Sequence, residues 1–254
     1  MIKTSKNDLG ELARKLRKAP DPRTRLDAAN KLRELGPLAE SVAKDLCDAL
    51  ADTSPGVVAA VIQAIEQVRP DLYQPLTRLA VDHDPDKHLR AAKELGLMGK
   101  QAEWCVGILL TRLRAELSRG PIPSGERGAG QLRPMQVVLF EAVRGINPDD
   151  PATIAYYKAL AAPTAQFDPA KYQSLDFLHK WAGSDEPKRR QVLPLALAAL
   201  RNAHCLGLAV HIVGDYGTLA KDAAPNLRRL KLSGSEETRK SAAVALDKVE
   251  GRTS

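Results

Sequence analysis

Apolar residues recur along the chain at three- and four-residue intervals that reset at short polar breaks, so the sequence reads as a string of amphipathic helices. The first carries Leu9, Leu12 and Leu16, and Asp21-Pro22 opens a second with Leu26, Ala29, Leu32 and Leu35. A partner helix runs from about Leu38 to Leu50. Ser54-Pro55 then starts a helix with Val58, Val61, Ile62, Ile65 and Val68, followed by one from about Leu72 to Val81. Asp84-Pro85 starts another, with Leu89, Ala92, Leu95 and Met98, whose partner carries Val106, Leu109, Leu110, Leu113 and Leu117. Proline is tolerated in a first helical turn, and Pro22, Pro55 and Pro85 lie 33 and 30 residues apart, a period of helical-pair repeats.

One phrase of eleven residues recurs within this pattern: GPLAESVAKDL from Gly36, GKQAEWCVGIL from Gly99 and GTLAKDAAPNL from Gly217. The copies share a small residue (Ala39, Ala102, Ala220), a charge (Glu40, Glu103, Lys221) and an apolar anchor (Leu46, Leu109, Leu227). The glycine marks the turn between two helices, where a residue with positive φ costs it little. Between the regular ends, Ser118 to Leu132 (SRGPIPSGERGAGQL) has no helical period and reads as a long loop. A fourth pair follows, with Val137 to Ile146 on one helix and Ile154, Tyr157 and Leu160 on the other, and then an irregular connector from Ala162 to Ala170. A fifth pair uses Leu175, Leu178 and Trp181, then Val192 to Leu200; a sixth uses Leu206, Ala209, Val210 and Val213 and the third glycine phrase. A last helix, about Glu236 to Val249, reads as a terminal cap. The expected fold is all-α, a right-handed α-solenoid of about six helical pairs plus a terminal helix, with 1–254 as one body, regular over 20–117 and 203–250.

The D-x-x-P-G and D-P openings (Asp52 to Gly56, Asp84-Pro85), the A-x-x-L-x-x-L-G helix end (Ala29 to Gly36) and the three glycine phrases resemble HEAT repeats of the short bacterial type, the class that includes the repeats of phycobilin lyases. The resemblance implies a protein that binds other proteins along the concave face made by the second helix of each pair. It also raises enzymatic branches. Iron-binding hydroxylases of similar architecture use His-Glu pairs, and no histidine here precedes a glutamate. HEAT-like DNA glycosylases work with aromatic clusters, and neither Trp104 nor Trp181 sits in one. A phycobilin-lyase-like enzyme or chaperone stays open, with no catalytic residue to carry over.

Composition refines this little. Aromatics are 4% of the 254 residues, so the core packs on Leu, Ala and Val. The formal charge of +7 allows nucleic acid or an acidic protein as partner. On the second helices Arg78, Arg112, Arg114, Lys158, Arg189, Arg190, Arg201, Arg228 and Arg229 are the partner-binding candidates: either a basic track, or a solvated face with acidic neighbours such as Glu116 and Asp222. Cys47, Cys105 and Cys205 read as buried thiols of a reducing compartment. No signal-peptide core is visible, and Arg201, Asn202, His204 and His211 interrupt the apolar stretch Val192 to Gly214, so the expected location is cytoplasmic, without membrane contact. That stretch reads as two helices joined near Asn202.

Local chemistry points to no metal, cofactor or catalytic group. His204 and His211, read on one helix face, would stand about 10 Å apart along the axis, too far for one ion with bonds of about 2 Å. His83 and His88 read as a solvated helix start, and Gly125 to Gly130 (GERGAG) lacks the Gly-Lys-Ser/Thr of a phosphate loop. Trp104 and Trp181 are expected to pack between helices. The sequence therefore predicts a non-enzymatic protein-binding scaffold, monomeric on its own, with a nucleic-acid binder as the alternative.

Overall fold

The computed structural model describes residues 6–81, 84–123, 126, 131–162 and 169–252. Among them the chain is helical without a strand, and no helix is long and apolar enough to cross a membrane. The first helices are α1 (Lys6–Lys18), α2 (Pro22–Leu35), α3 (Ala43–Ala49), α4 (Pro55–Val68), α5 (Pro70–Val81), α6 (Pro85–Leu97), α7 (Val106–Leu117) and α8 (Pro134–Ile146). They are followed by α9 (Pro151–Ala161), α10 (Pro169–Ala182), α11 (Glu186–Ala199), α12 (Leu206–Tyr216), α13 (Ala224–Ser233) and α14 (Glu236–Val249). Two compact units divide the chain: Met1–Gly120 with Leu132–Pro148, and Pro121–Gln131 with Asp149–Ser254. Within each, helices stack on their sequence neighbours in the manner of an α-solenoid.

The helix starts follow the sequence chemistry. Asp21, Asp84, Asp150 and Asp185 precede the first turns of α2, α6, α9 and α11, and their carboxylates accept backbone N–H groups that would otherwise lack a partner. Ser54 does not cap α4. Asp52 instead orders the turn before α4, accepting the Ser54 N–H at 2.8 Å while its two oxygens receive Arg25 Nε and Nη2 at 2.7 and 2.9 Å.

The glycine phrases adopt one geometry three times. Gly36 and Gly217 both have φ 53° and ψ −132°, and Gly99 has φ 55°. Each opens a 3₁₀ segment, Gly36–Val42, Gly99–Cys105 or Gly217–Ala223, before α3, α7 or α13 begins. The expected helix from Leu38 therefore starts at Ala43, because the chain first winds through tighter turns that satisfy the exposed end of the preceding helix. Ala39, Ala102 and Ala220 are fully buried, as are Leu46, Leu109 and Leu227. Position seven of the phrase (Val42, Cys105, Ala223) is buried too, which the sequence comparison does not single out.

Each phrase also meets the next layer in the same way. A Cβ on Gly36, Gly99 or Gly217 would lie 3.9, 3.8 or 3.6 Å from the carbonyl oxygen of Gln67, Gly145 or Lys248. Three residues earlier on those helices stand Ala64, Ala142 and Ala245, all buried. The pairs α2/α4, α6/α8 and α12/α14 are thus copies of one module in one register. In two of them the facing residue is glycine: a Cβ on Gly96 would fall 2.8 Å from Ala142 Cα, and one on Gly214 3.3 Å from Ala245 Cα. Backbones approach closely there because no side chain intervenes.

Three expectations are corrected. The helices read as a fourth pair fall in different units: α8 packs on α6 and α7 in the first, and α9 on α10 in the second. His204 lies in the turn before α12 rather than on a helix face with His211. That turn, at residues 200–205, does separate α11 from α12 as expected near Asn202. His88 is not solvated; it is buried, with Arg112 Nη2 at 2.7 Å from its Nδ1. Trp104 and Trp181 are half-buried, and each carries a cation on its ring face: Arg69 at 4.3 Å over Trp104, and Lys188 at 4.8 Å over Trp181. His83, most of the GERGAG segment and most of the Ala162 to Ala170 connector lie outside the described residues. The loop of Ser118 to Leu132 is closed by the Ile122 N–H donating to Gln131 O at 2.9 Å.

All three cysteines are buried and unlinked. Cys47 on α3 and Cys105 at the end of the second 3₁₀ segment face one another, and the hydrogen bond the Cys47 thiol makes to Cys105, with burial, holds that thiol well above its usual range. Thiolate is the reactive form. A chromogenic thiol reagent is therefore expected to titrate no cysteine in the native chain and all three after denaturation. A thiol reacting within the mixing time without denaturant would contradict this packing.

Candidate functional site

The nine basic candidates fall in both units and mostly have partners of their own. In the first unit Arg78 pairs with Glu94 at 3.2 Å, and Arg112 is held between His88 and Glu116. Arg114 is exposed on the opposite side of α7 from the half-buried Arg112, as helical spacing requires. In the second unit Lys158 donates to Gln191 Oε1 at 2.7 Å, Arg190 pairs with Glu186 at 2.6 Å, and Arg228 pairs with Glu250. Arg229 is exposed on α13. Arg201 lines a cavity of about 810 Å³ together with Lys171, Asn202, His204, Asp222 and Asn226. The surface these residues make is of mixed charge, with carboxylates interleaved among the cations.

Arg189 does something different. Its Nε donates to Gly183 O at 2.6 Å, just past the end of α10, and its Nη1 to Asp215 O at 3.2 Å, near the end of α12. Its guanidinium also lies 5.1 Å from the centre of the Tyr216 ring. One planar fork thus ties the C-terminal ends of two helices, a role a lysine could not fill.

The clamp fixes a cluster that the sequence reading missed. His179, in the last turn of α10, stands beside His211 and Asp215, which share a face of α12 at four-residue spacing. His179 Nε2 lies 3.4 Å and His211 Nε2 3.3 Å from the same atom, Asp215 Oδ2. The two imidazoles meet edge to face with centroids 5.5 Å apart, and Tyr216 closes against His179 at 5.6 Å. Burial pushes the His179 imidazole below its usual range, against the pull of the Asp215 carboxylate. Lys248 Nζ approaches the other carboxylate oxygen, Asp215 Oδ1, at 3.8 Å. Beside His211 and Asp215 opens a groove of about 340 Å³ that Lys240, Ser241, Val244 and Lys248 of α14 also line.

The sequence signal for this cluster is weak but present. His211-x-x-x-Asp215 is a one-face spacing; His179, 32 residues upstream, joins only through the stacking of α10 near α12. Sequence proximity favours pairing His211 with His204, which the fold separates. Compared with known proteins, the chain matches no family model, and no curated protein is significantly similar to it.

Proposed function

We propose that the chain is a protein-binding scaffold of HEAT-like modules, without catalytic activity of its own. The observation that carries this reading is that cations of the second helices are paired with carboxylates from the same or neighbouring elements. Arg78–Glu94, Arg190–Glu186 and Arg228–Glu250 offer donors and acceptors side by side, a surface suited to the alternating charges of a protein partner and ill suited to a phosphate backbone, which needs an uninterrupted positive path. Exposed Leu38 and Leu97 in the first unit, and Leu232 and Val244 in the second, add apolar contact points to the polar surface. The likeness of the glycine phrases and Asp-Pro openings to HEAT repeats supports the same reading.

The test is a partner captured by crosslinking in the native cell, purified, and titrated calorimetrically against the purified chain. Saturable binding that charge reversal at Arg201, Arg228 and Arg229 weakens about tenfold or more, about 1.4 kcal/mol, with helicity unchanged, is the expected outcome. Turnover of a small molecule by the purified chain, or no captured protein that binds it directly, would overturn the reading.

A further inference from the structure

The His179, His211 and Asp215 atoms are spaced for coordination rather than for hydrogen bonding. A charge-assisted N–H···O⁻ bond is about 2.7–2.9 Å long, whereas both histidine nitrogens stand 3.3–3.4 Å from Asp215 Oδ2. A tetrahedral ion with bonds of about 2.0–2.1 Å sets its ligand atoms about 3.3–3.4 Å apart. All three donor atoms lie within 4.8 Å of one another, so the remaining His–His edge closes by a small rotation of His211, whose side chain is 62% exposed.

Two further features fit. The donor set, two imidazole nitrogens and one carboxylate oxygen, suits zinc and its borderline neighbours. Arg189 holds the ends of α10 and α12 together, so the ligands are positioned before an ion arrives. His179 Nδ1, the nitrogen away from the cluster, is buried without the second partner that a ligating histidine usually has. Against the ion stand Arg189, Lys240 and Lys248; Lys248 faces Oδ1 and leaves Oδ2 clear, and Asp176 adds a negative charge near His179.

We infer that His179 Nε2, His211 Nε2 and Asp215 Oδ2 bind a divalent transition ion of the zinc class, with the fourth position open to water. Three ligands amid neighbouring cations give an affinity about micromolar, weaker than closed four-ligand structural sites. The site is independent of partner binding and stands whether or not the scaffold reading does.

The experiment treats the full chain with chelator, removes it, and titrates with Zn²⁺ by calorimetry, with Co²⁺ as a spectroscopic stand-in. The expected result is one ion per chain and visible Co²⁺ bands of low-symmetry nitrogen and oxygen coordination. His211→Ala, at an exposed position that leaves the fold intact, and Asp215→Asn, which keeps the shape, each lower affinity about a hundredfold and abolish the Co²⁺ bands. His204→Ala, a histidine outside the cluster, leaves both unchanged. No stoichiometric binding at micromolar Zn²⁺, equal affinity in His211→Ala, or an equal loss in His204→Ala would overturn the assignment.

Discussion

Valine at Gly96 is expected to destabilise the first unit by about 1–3 kcal/mol or more. The added Cβ would fall 2.8 Å from Ala142 Cα and 3.2 Å from Ala142 Cβ, and the backbone of α8 cannot yield as a flexible side chain would. The intrinsic preference runs the other way, since valine is a slightly better helix former than glycine, so a loss of stability isolates the packing term. Gly10→Ala is the control: nothing lies within 4 Å of that Cβ, and a gain of about 0.5–1 kcal/mol is expected. The two tryptophans sit one in each unit, Trp104 in the first and Trp181 in the second. Urea unfolding followed by Trp104 fluorescence in a Trp181→Phe background therefore reads the first unit alone. An unchanged midpoint in Gly96→Val would show that α6 and α8 do not meet as described.

Leu109→Ala is expected to cost about 2–5 kcal/mol in the same unit. Leu109 is fully buried at the anchor position of the second glycine phrase, where α7 packs on α8 and on the 3₁₀ segment before it. Truncation removes buried methyl groups and leaves a cavity that helices fixed in register close only in part. The Trp104 transition should move to lower urea with little change in slope, while a Trp181 probe in a Trp104→Phe background should not move. Leu227→Ala, the equivalent change in the third phrase, should reverse that assignment. Equal shifts of both probes by either variant would show that the two units unfold as one.

Most of the helical framework was legible because it depends on local signals. The Asp-Pro openings cap helices through their own neighbours, and the positive φ of Gly36, Gly99 and Gly217 is a backbone demand that glycine meets. The 3₁₀ segments were not legible: residues 38–42 and 101–105 carry the same apolar spacing that an α-helix would, and only the geometry of the reversal tightens them. The division between α8 and α9 was hidden because an Asn-Pro-Asp-Asp-Pro turn at 147–151 looks the same whether it joins packed partners or separate units.

The candidate sites divide in the same way. The basic residues were visible, but the effect of several depends on partners 16 or more residues distant, as with Arg78–Glu94 and Arg228–Glu250. Arg189 could not be told from a surface cation in the sequence, because its acceptors are backbone carbonyls of Gly183 and Asp215. His179 reaches Asp215 only through helix stacking, so no spacing rule would have grouped them.

The most direct test of the mixed-charge scaffold is a fluorescence-anisotropy titration of the chain against labelled single- and double-stranded DNA and RNA at about 50 and 200 mM salt, the range over which phosphate contacts lose affinity steeply. The account predicts no saturable binding at the lower salt, because most of the candidate cations are already engaged and carboxylates interleave with them. Tight binding that collapses at the higher salt would contradict it and show that those arginines serve a phosphate backbone.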